Sequence, residues 1–294
     1  MSPSTEKPDD CTESAGLGDF LRSLLRGIPW SERAEQRQTI HFGTPAGGLF
    51  RIDNSRGRTR VVGEARDDIE IAVHKITRAE SEAAARQLAS CTRIASTEVD
   101  GVLEVEIEMP RRWNRRATVN LDVRVPQGLS MEVNGSNDKI EIKGLRADCN
   151  TRSSNASVRV EDVQGTVEIN ASNAKVRCID THGDLSVYTS NGKIEITGHR
   201  GSLDGSTSNG LIQAELAEVG SGGITLVTSN GHISLALPDP VDADVDLRVD
   251  NGIIRNQRSL CRCKRSSGGR LTGVLGRGGA PVKLRTSNGS ISLK

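Results

Sequence analysis

Between residues 136 and 214 the chain repeats itself at a fixed step. Asn137, Asn155, Asn173, Asn191 and Asn209 lie 18 residues apart, each preceded by Ser and followed by a short run of strand-like composition. A period of this size marks a solenoid, because one repeat cannot bury its own apolar face and must stack on the next.

Alignment on the Asn separates inward from outward side chains. Three positions after it come Ile140, Val158, Val176, Ile194 and Ile212, and five after come Ile142, Val160, Cys178, Ile196 and Ala214. Six positions before it lie Met131, Cys149, Val167, Leu185 and Leu203. A spacing of two is strand spacing, since successive strand side chains point to opposite faces. Each repeat therefore carries two short strands. Gly165, Gly183 and Gly201 keep the same step at one corner, and Ser-Asn forms the other, where Asn tolerates the left-handed region. Stacked at a strand spacing of ~4.8 Å, the Asn side chains are expected to bond amide to amide as a ladder.

The phase continues with Asn230 and Asn251 at steps of 21 and Asn288 after a longer gap. Ile224, Leu226, Ile233 and Leu235 hold the inward columns around Asn230, as do Val282, Leu284, Ile291 and Leu293 around Asn288. The expected fold is mainly β: a single-stranded parallel β-helix over residues 129–294 with coils of 18 to 21 residues, running to the C-terminus. Eight corners at ~4.8 Å give a rod of roughly 40 Å.

Residues 47–128 read as mixed α and β. Strands are predicted at Leu49–Asp53, Arg58–Val62, Ile69–His74, Val102–Glu108 and Val119–Val125, with a helix at Arg78–Leu88. Solenoids need a cover over the first open rung, and this module is expected to cap it. Residues 1–46 read as a polar, disordered tail with a short amphipathic helix at about 17–28, built on Leu17, Phe20, Leu21, Leu24, Leu25 and Ile28. With Trp30 that stripe fits either packing on protein or contact with a membrane surface through residues 17–30.

Composition narrows the function classes. A hydrophobic content of 35% and mean hydropathy of −0.41 come with no segment near the ~20 apolar residues of a membrane span. A net charge of +1 exerts no global pull on nucleic acid, and the cluster Arg111, Arg112, Trp113, Arg115 and Arg116 reads as a solvated loop. From Asn251 to Lys294 there are ten Lys and Arg and no Asp or Glu, which reads as protection of an open sheet edge. Glu6, Asp9, Asp10 and Glu13 stand where a secretory leader is basic and apolar, so the chain is expected to be cytoplasmic. Cys149 and Cys178 fall on inward columns, and Cys261 with Cys263 forms a lone C-x-C. A structural zinc site needs four ligands, so neither metal nor cofactor is expected.

The Ser-Asn-Gly corners, the link Arg124–Gly128, the closing run Gly269–Gly279 and the final Leu284–Leu293 resemble the bacterial "putative adhesin" family over roughly residues 47–294. That resemblance implies a β-solenoid fold; no catalytic or binding residue comes with it.

Chemistry is sparse. Asp162 and Asp180 occupy one corner column, with His182 nearby, and offer a candidate acid pair; the competing expectation is that both serve as turn residues. Glu141, Arg159, Arg177 and Glu195 follow one another in a column and suggest ion pairs along it. His199 and His232 read as exposed. Tyr188 is the sole aromatic in the coils, so stacking platforms for sugars or bases are poorly supplied. The expected function is a non-enzymatic structural or interaction protein, presenting a rigid surface to a protein or cell-envelope partner. The alternatives are a polysaccharide-active enzyme using Asp162 and Asp180, or a cytosolic scaffold that self-associates end to end, against which the basic last coil argues.

Overall fold

The computed structural model describes residues 32–109, 116–266 and 269–294. Among them are 17 strands and one helix, so the molecule is mainly β. The repeats form β8 (Ser130–Lys143), β9 (Cys149–Gln164), β10 (Val167–Asn173), β11 (Val176–Asn191), β12 (Ile194–Asn209) and β13 (Ile212–Ala236). They pair in parallel: Ile140 with Val158, Val158 with Val176, Val176 with Ile194, and Ile194 with Ile212. The architecture is a solenoid-like repeat. Side chains of the three apolar columns from Met131 to Ala214 are all buried, none more than 2% exposed, so each rung's Val, Ile or Leu is covered by the rungs on either side.

The C-terminal coils do not follow chain order. β17 (Ala280–Leu293) lies in parallel between β13 and β14 (Ala243–Asn256), so that Thr225 meets Lys283 and Lys283 meets Asp246. The reason is visible in the side chains. Val282, Leu284, Ile291 and Leu293 in β17 are at most 1% exposed, whereas in β14 the place in register with Leu293 is held by Asn256, which is exposed. The segment whose inward positions are apolar to the last takes the inner place, and the one that ends on Asn256 takes the outer. Beyond β14 the sheet continues through the antiparallel strands β16 (Arg270–Leu275) and β15 (Cys261–Ser266).

The N-terminal region is likewise permuted. β2 (Leu49–Asn54) and β3 (Thr59–Glu64) lie in parallel on the two halves of β8, pairing Phe50 with Met131 and Val61 with Ile142. β6 (Val102–Glu108) and β7 (Ala117–Pro126) add in parallel to β2 and β3. β5 (Arg93–Val99), β4 (Asp68–Ala79) and β1 (Glu32–Gly43) then add antiparallel, to β6, β7 and β4 respectively. Residues 47–128 thus extend the sheets of the coils instead of forming a separate α/β layer. Residues 32–43, expected in the tail, form β1. The helix α1 (Glu82–Cys91) starts where the Ser81 hydroxyl accepts the Ala84 N–H at 3.2 Å, and buries Ala85, Leu88 and Ala89 beside β1 and β4. The amphipathic segment expected at 17–28, Trp30, and the basic cluster from Arg111 to Arg115 lie outside the described residues. Arg116 does not stand in a solvated loop; it pairs with Glu80 at 2.8 Å.

Candidate functional site

The Asn corners stand one above another. Asn155 donates its Nδ2 to Asn137 Oδ1 at 3.5 Å, Asn173 to Asn155 at 3.2 Å, Asn191 to Asn173 at 2.9 Å and Asn209 to Asn191 at 3.0 Å. Asn230 donates to Asn209 at 2.9 Å, Asn288 to Asn230 at 3.0 Å, and Asn251 to Asn288 at 3.1 Å, following the spatial order of the strands and not the chain. The glycine after each later Asn makes the close stacking possible. A β-carbon built on Gly231 would stand 1.8 Å from the Gly210 carbonyl oxygen, and one on Gly289 1.7 Å from that of Gly231. Two positions before the Asn, a column of Thr189, Thr207, Thr228 and Thr286 is buried. Sequence reasoning passed over that column, although the same spacing marks it.

Beside the ladder runs a second column that crosses six rungs on the outer face. Asp53 pairs in register with Asn134, Asn134 with Arg152, Arg152 with Asn170, Asn170 with Tyr188, and Tyr188 with Ser206. These six line an open groove of about 560 Å³, with Ser136, Ser154, Ser172 and Ser190 of the Asn corner along it. Carboxylates of the neighbouring outward column hold the lining in place. Glu132 pairs with Arg152 at 2.5 Å and with Arg51 at 3.0 Å, Glu168 accepts Asn170 Nδ2 at 2.7 Å, and Asp204 accepts the Tyr188 hydroxyl at 3.0 Å. Burial, with Glu104 nearby, pushes the Asp53 carboxyl above its ordinary range. The Oδ1 of Asn134 is buried without a hydrogen-bond partner in the protein. The sequence hid this groove because its lining residues share a column but no residue type.

The column Glu141, Arg159, Arg177, Glu195 is only half an ion ladder. Arg177 reaches Glu195 at 2.6 Å across the rungs, but Arg159 turns to Glu161 at 2.8 Å and Glu141 takes Lys139 at 2.6 Å. Partners on its own rung are closer in reach than those above. Glu195 also binds Lys193 at 2.5 Å and Lys175 at 3.0 Å, and these cations, Lys193 first, pull its carboxyl down to about 2.

Asp162 and Asp180 both adopt left-handed backbone, with φ of 51° and 50°, and Asp162 is held by Arg146 at 3.0 Å. The groove is lined by other residues. His199, expected to be exposed, is 0% exposed: its ring is bonded by Thr181 Oγ1 at 2.9 Å and the Ser202 carbonyl at 3.0 Å, and burial holds it below the ordinary histidine range. His232 is half-buried and bonds Ser290 Oγ at 2.7 Å. Cys149 and Cys178 are buried, which raises both thiols to about 12, and Cys261 and Cys263 are exposed. Among the described residues no group of three or more His, Cys, Asp or Glu could hold a metal ion, and no helix is long and apolar enough to cross a membrane.

Solved structures to which the chain is similar include a putative adhesin from Parabacteroides merdae, 12% identical over 90% of this chain and 97% of that one, with a TM-score of 0.45. A putative adhesin from Parabacteroides distasonis is 11% identical over 89% and 97%, at 0.44, and one from Bacteroides fragilis is 14% identical over 88% and 97%, at 0.37. No curated protein matches the sequence. The profile of the Toastrack DUF4097 family matches residues 64–294, and the chain belongs to that family.

Proposed function

We propose that this protein is a non-enzymatic, adhesin-like interaction domain: a capped single-stranded parallel β-helix whose outer face holds an extended macromolecule of the cell envelope. The single observation that carries this is the continuous groove from Asp53 to Ser206, in which carboxylate, amide, guanidinium, phenol and hydroxyl groups succeed one another, one polar side chain per rung. Groups repeating at ~4.8 Å suit a polymer whose own hydrogen-bonding groups repeat along its length. The lining is polar throughout apart from Gly135 and Ala171, so it lacks the apolar pockets in which peptide anchors bury. A hydroxyl-rich polysaccharide fits such a surface, recognised by hydrogen bonds with Tyr188 as the one flat face. The Asn ladder supplies rigidity rather than recognition, since its amides are committed to one another.

The acid pair fits this reading as structure. Left-handed corners are where Asp is commonly used for turning, and Arg146 holds the Asp162 carboxylate at its corner in an ion pair of 3.0 Å. Co-sedimentation of the full chain with insoluble cell-wall polysaccharide tests the proposal. Binding that falls at least about tenfold in Tyr188→Ala and Arg152→Ala supports it. Absence of binding, or binding by both variants equal to that of the parent, contradicts it, and polymer cleavage lost in Asp162→Asn/Asp180→Asn would favour the enzyme instead.

A further inference from the structure

The half of each rung that precedes the Asn belongs to one uninterrupted sheet. Its strands run β5, β6, β2, β8, β9, β10, β11, β12, β13, β17, β14, β16, β15, each paired with the next. Among the described residues, β5 has no strand on its far side, and neither has β15. An unpaired edge is a row of free N–H and C=O groups that another strand can join.

The two edges carry opposite charge. β5, β6 and their turn hold Glu98, Asp100, Glu104, Glu106 and Glu108 against Arg93, and Glu104 is reached by Arg51 only at 3.8 Å. All six residues of β15 are exposed, and they include Arg262, Lys264 and Arg265 with no carboxylate. Like edges therefore repel: β15 against β15 gathers cations, and β5 against β5 gathers carboxylates. Only unlike edges attract. Strand direction agrees. β5 runs against β6 and hence against the parallel coils, while β15, antiparallel to β16, runs with β14. A copy displaced along the stack brings β15 and β5 together antiparallel, the arrangement that continues a sheet most simply.

We infer that the chain associates head to tail with further copies of itself, the basic β15 edge of one molecule adding to the acidic β5–β6 edge of the next. Such a contact is heterologous and generates open filaments or short oligomers, not closed dimers. The basic terminus that argues from sequence against end-to-end association becomes one half of a complementary pair once the fold places an acidic hairpin at the other end. This inference is independent of the lateral groove.

Sedimentation velocity of the full chain at rising concentration tests it. Association is expected at low salt and at least about tenfold weaker at about 0.5 M salt, where charges are screened within a few ångströms. Arg262→Glu/Lys264→Glu/Arg265→Glu should be monomeric, and so should Glu106→Lys/Glu108→Lys, with thermal unfolding of both close to the parent. An equimolar mixture of the two should associate again, because the unaltered acidic edge of the first then meets the unaltered basic edge of the second. A parent monomeric under all conditions, either variant associating alone as the parent does, or a mixture of folded variants that stays monomeric would overturn the inference.

Discussion

Truncating Ile194 to alanine should cost far more than truncating its neighbour Lys193, although the two are adjacent in sequence. Ile194 is 0% exposed and lies in register between Val176 and Ile212, themselves 0% exposed, so the truncation leaves a void bounded by three rungs. Large-to-small changes at such sites cost about 2–5 kcal/mol, the higher end where the surroundings collapse poorly. Parallel strands fixed by ladders above and below collapse poorly, so a value of ~3 kcal/mol is expected, about two orders of magnitude in the unfolding equilibrium. Lys193 has a side chain 35% exposed and one contact of note, Glu195 at 2.5 Å, so Lys193→Ala should cost no more than ~1 kcal/mol. Urea unfolding followed by far-UV circular dichroism measures both, and hydrogen exchange should show lost protection at Val176 and Ile212 in the Ile194 variant alone. Equal losses in the two variants would refute the division into inward and outward columns.

Three further outcomes follow from the same geometry. Gly231→Ala should be among the most disruptive single changes, since its β-carbon would stand 1.8 Å from the Gly210 carbonyl oxygen, whereas Gly43→Ala meets nothing within 4 Å; thermal unfolding of the pair decides it. Glu195 is lowered to about 2 from 4.5, so its contribution to stability is complete above about 4.5 and lost as pH falls through about 2. Glu195→Gln should therefore flatten that acid limb, by ~1 kcal/mol once solvent screening is allowed for, and an unchanged stability–pH profile would contradict the triple cation contact. In the folded protein Cys261 and Cys263 should react with a maleimide in minutes while Cys149 and Cys178 stay unmodified until denaturant is added, as peptide mapping would show.

The coils were legible because a solenoid writes its geometry into a period. A residue 18 positions on is the next neighbour in space, so one Asn and three apolar positions located the corners and the core from Met131 to Ala214. The ends were not legible for the complementary reason. At both ends spatial order departs from chain order: β6 and β7 lie outside β2 and β3, and β17 lies inside β14. No period records a strand that returns to an earlier place, and the difference between Asn256 and Leu293 at one register position counts only when their two strands compete for the inner place. The groove was missed because recognition was sought in repeated residue types. Asp53, Asn134, Arg152, Asn170, Tyr188 and Ser206 share a place without sharing a chemistry, and the first of them comes from a strand outside the repeat. His199 was misread because a corner position was equated with exposure, whereas its ring turns inward to Thr181 and Ser202.

The order of the stacked strands is tested most directly by distances along one outward column. Spin labels on cysteines placed at Ser154 and, in turn, at Ser229, Ser287 or Asp250 should give separations of about 19, 24 and 29 Å, one rung of ~4.8 Å between successive pairs. That sequence of distances places β17, the last strand of the chain, inside β14. Asp250 closer to Ser154 than Ser287 is, or three distances without a constant increment, would contradict the stacking on which both the groove and the two charged edges depend.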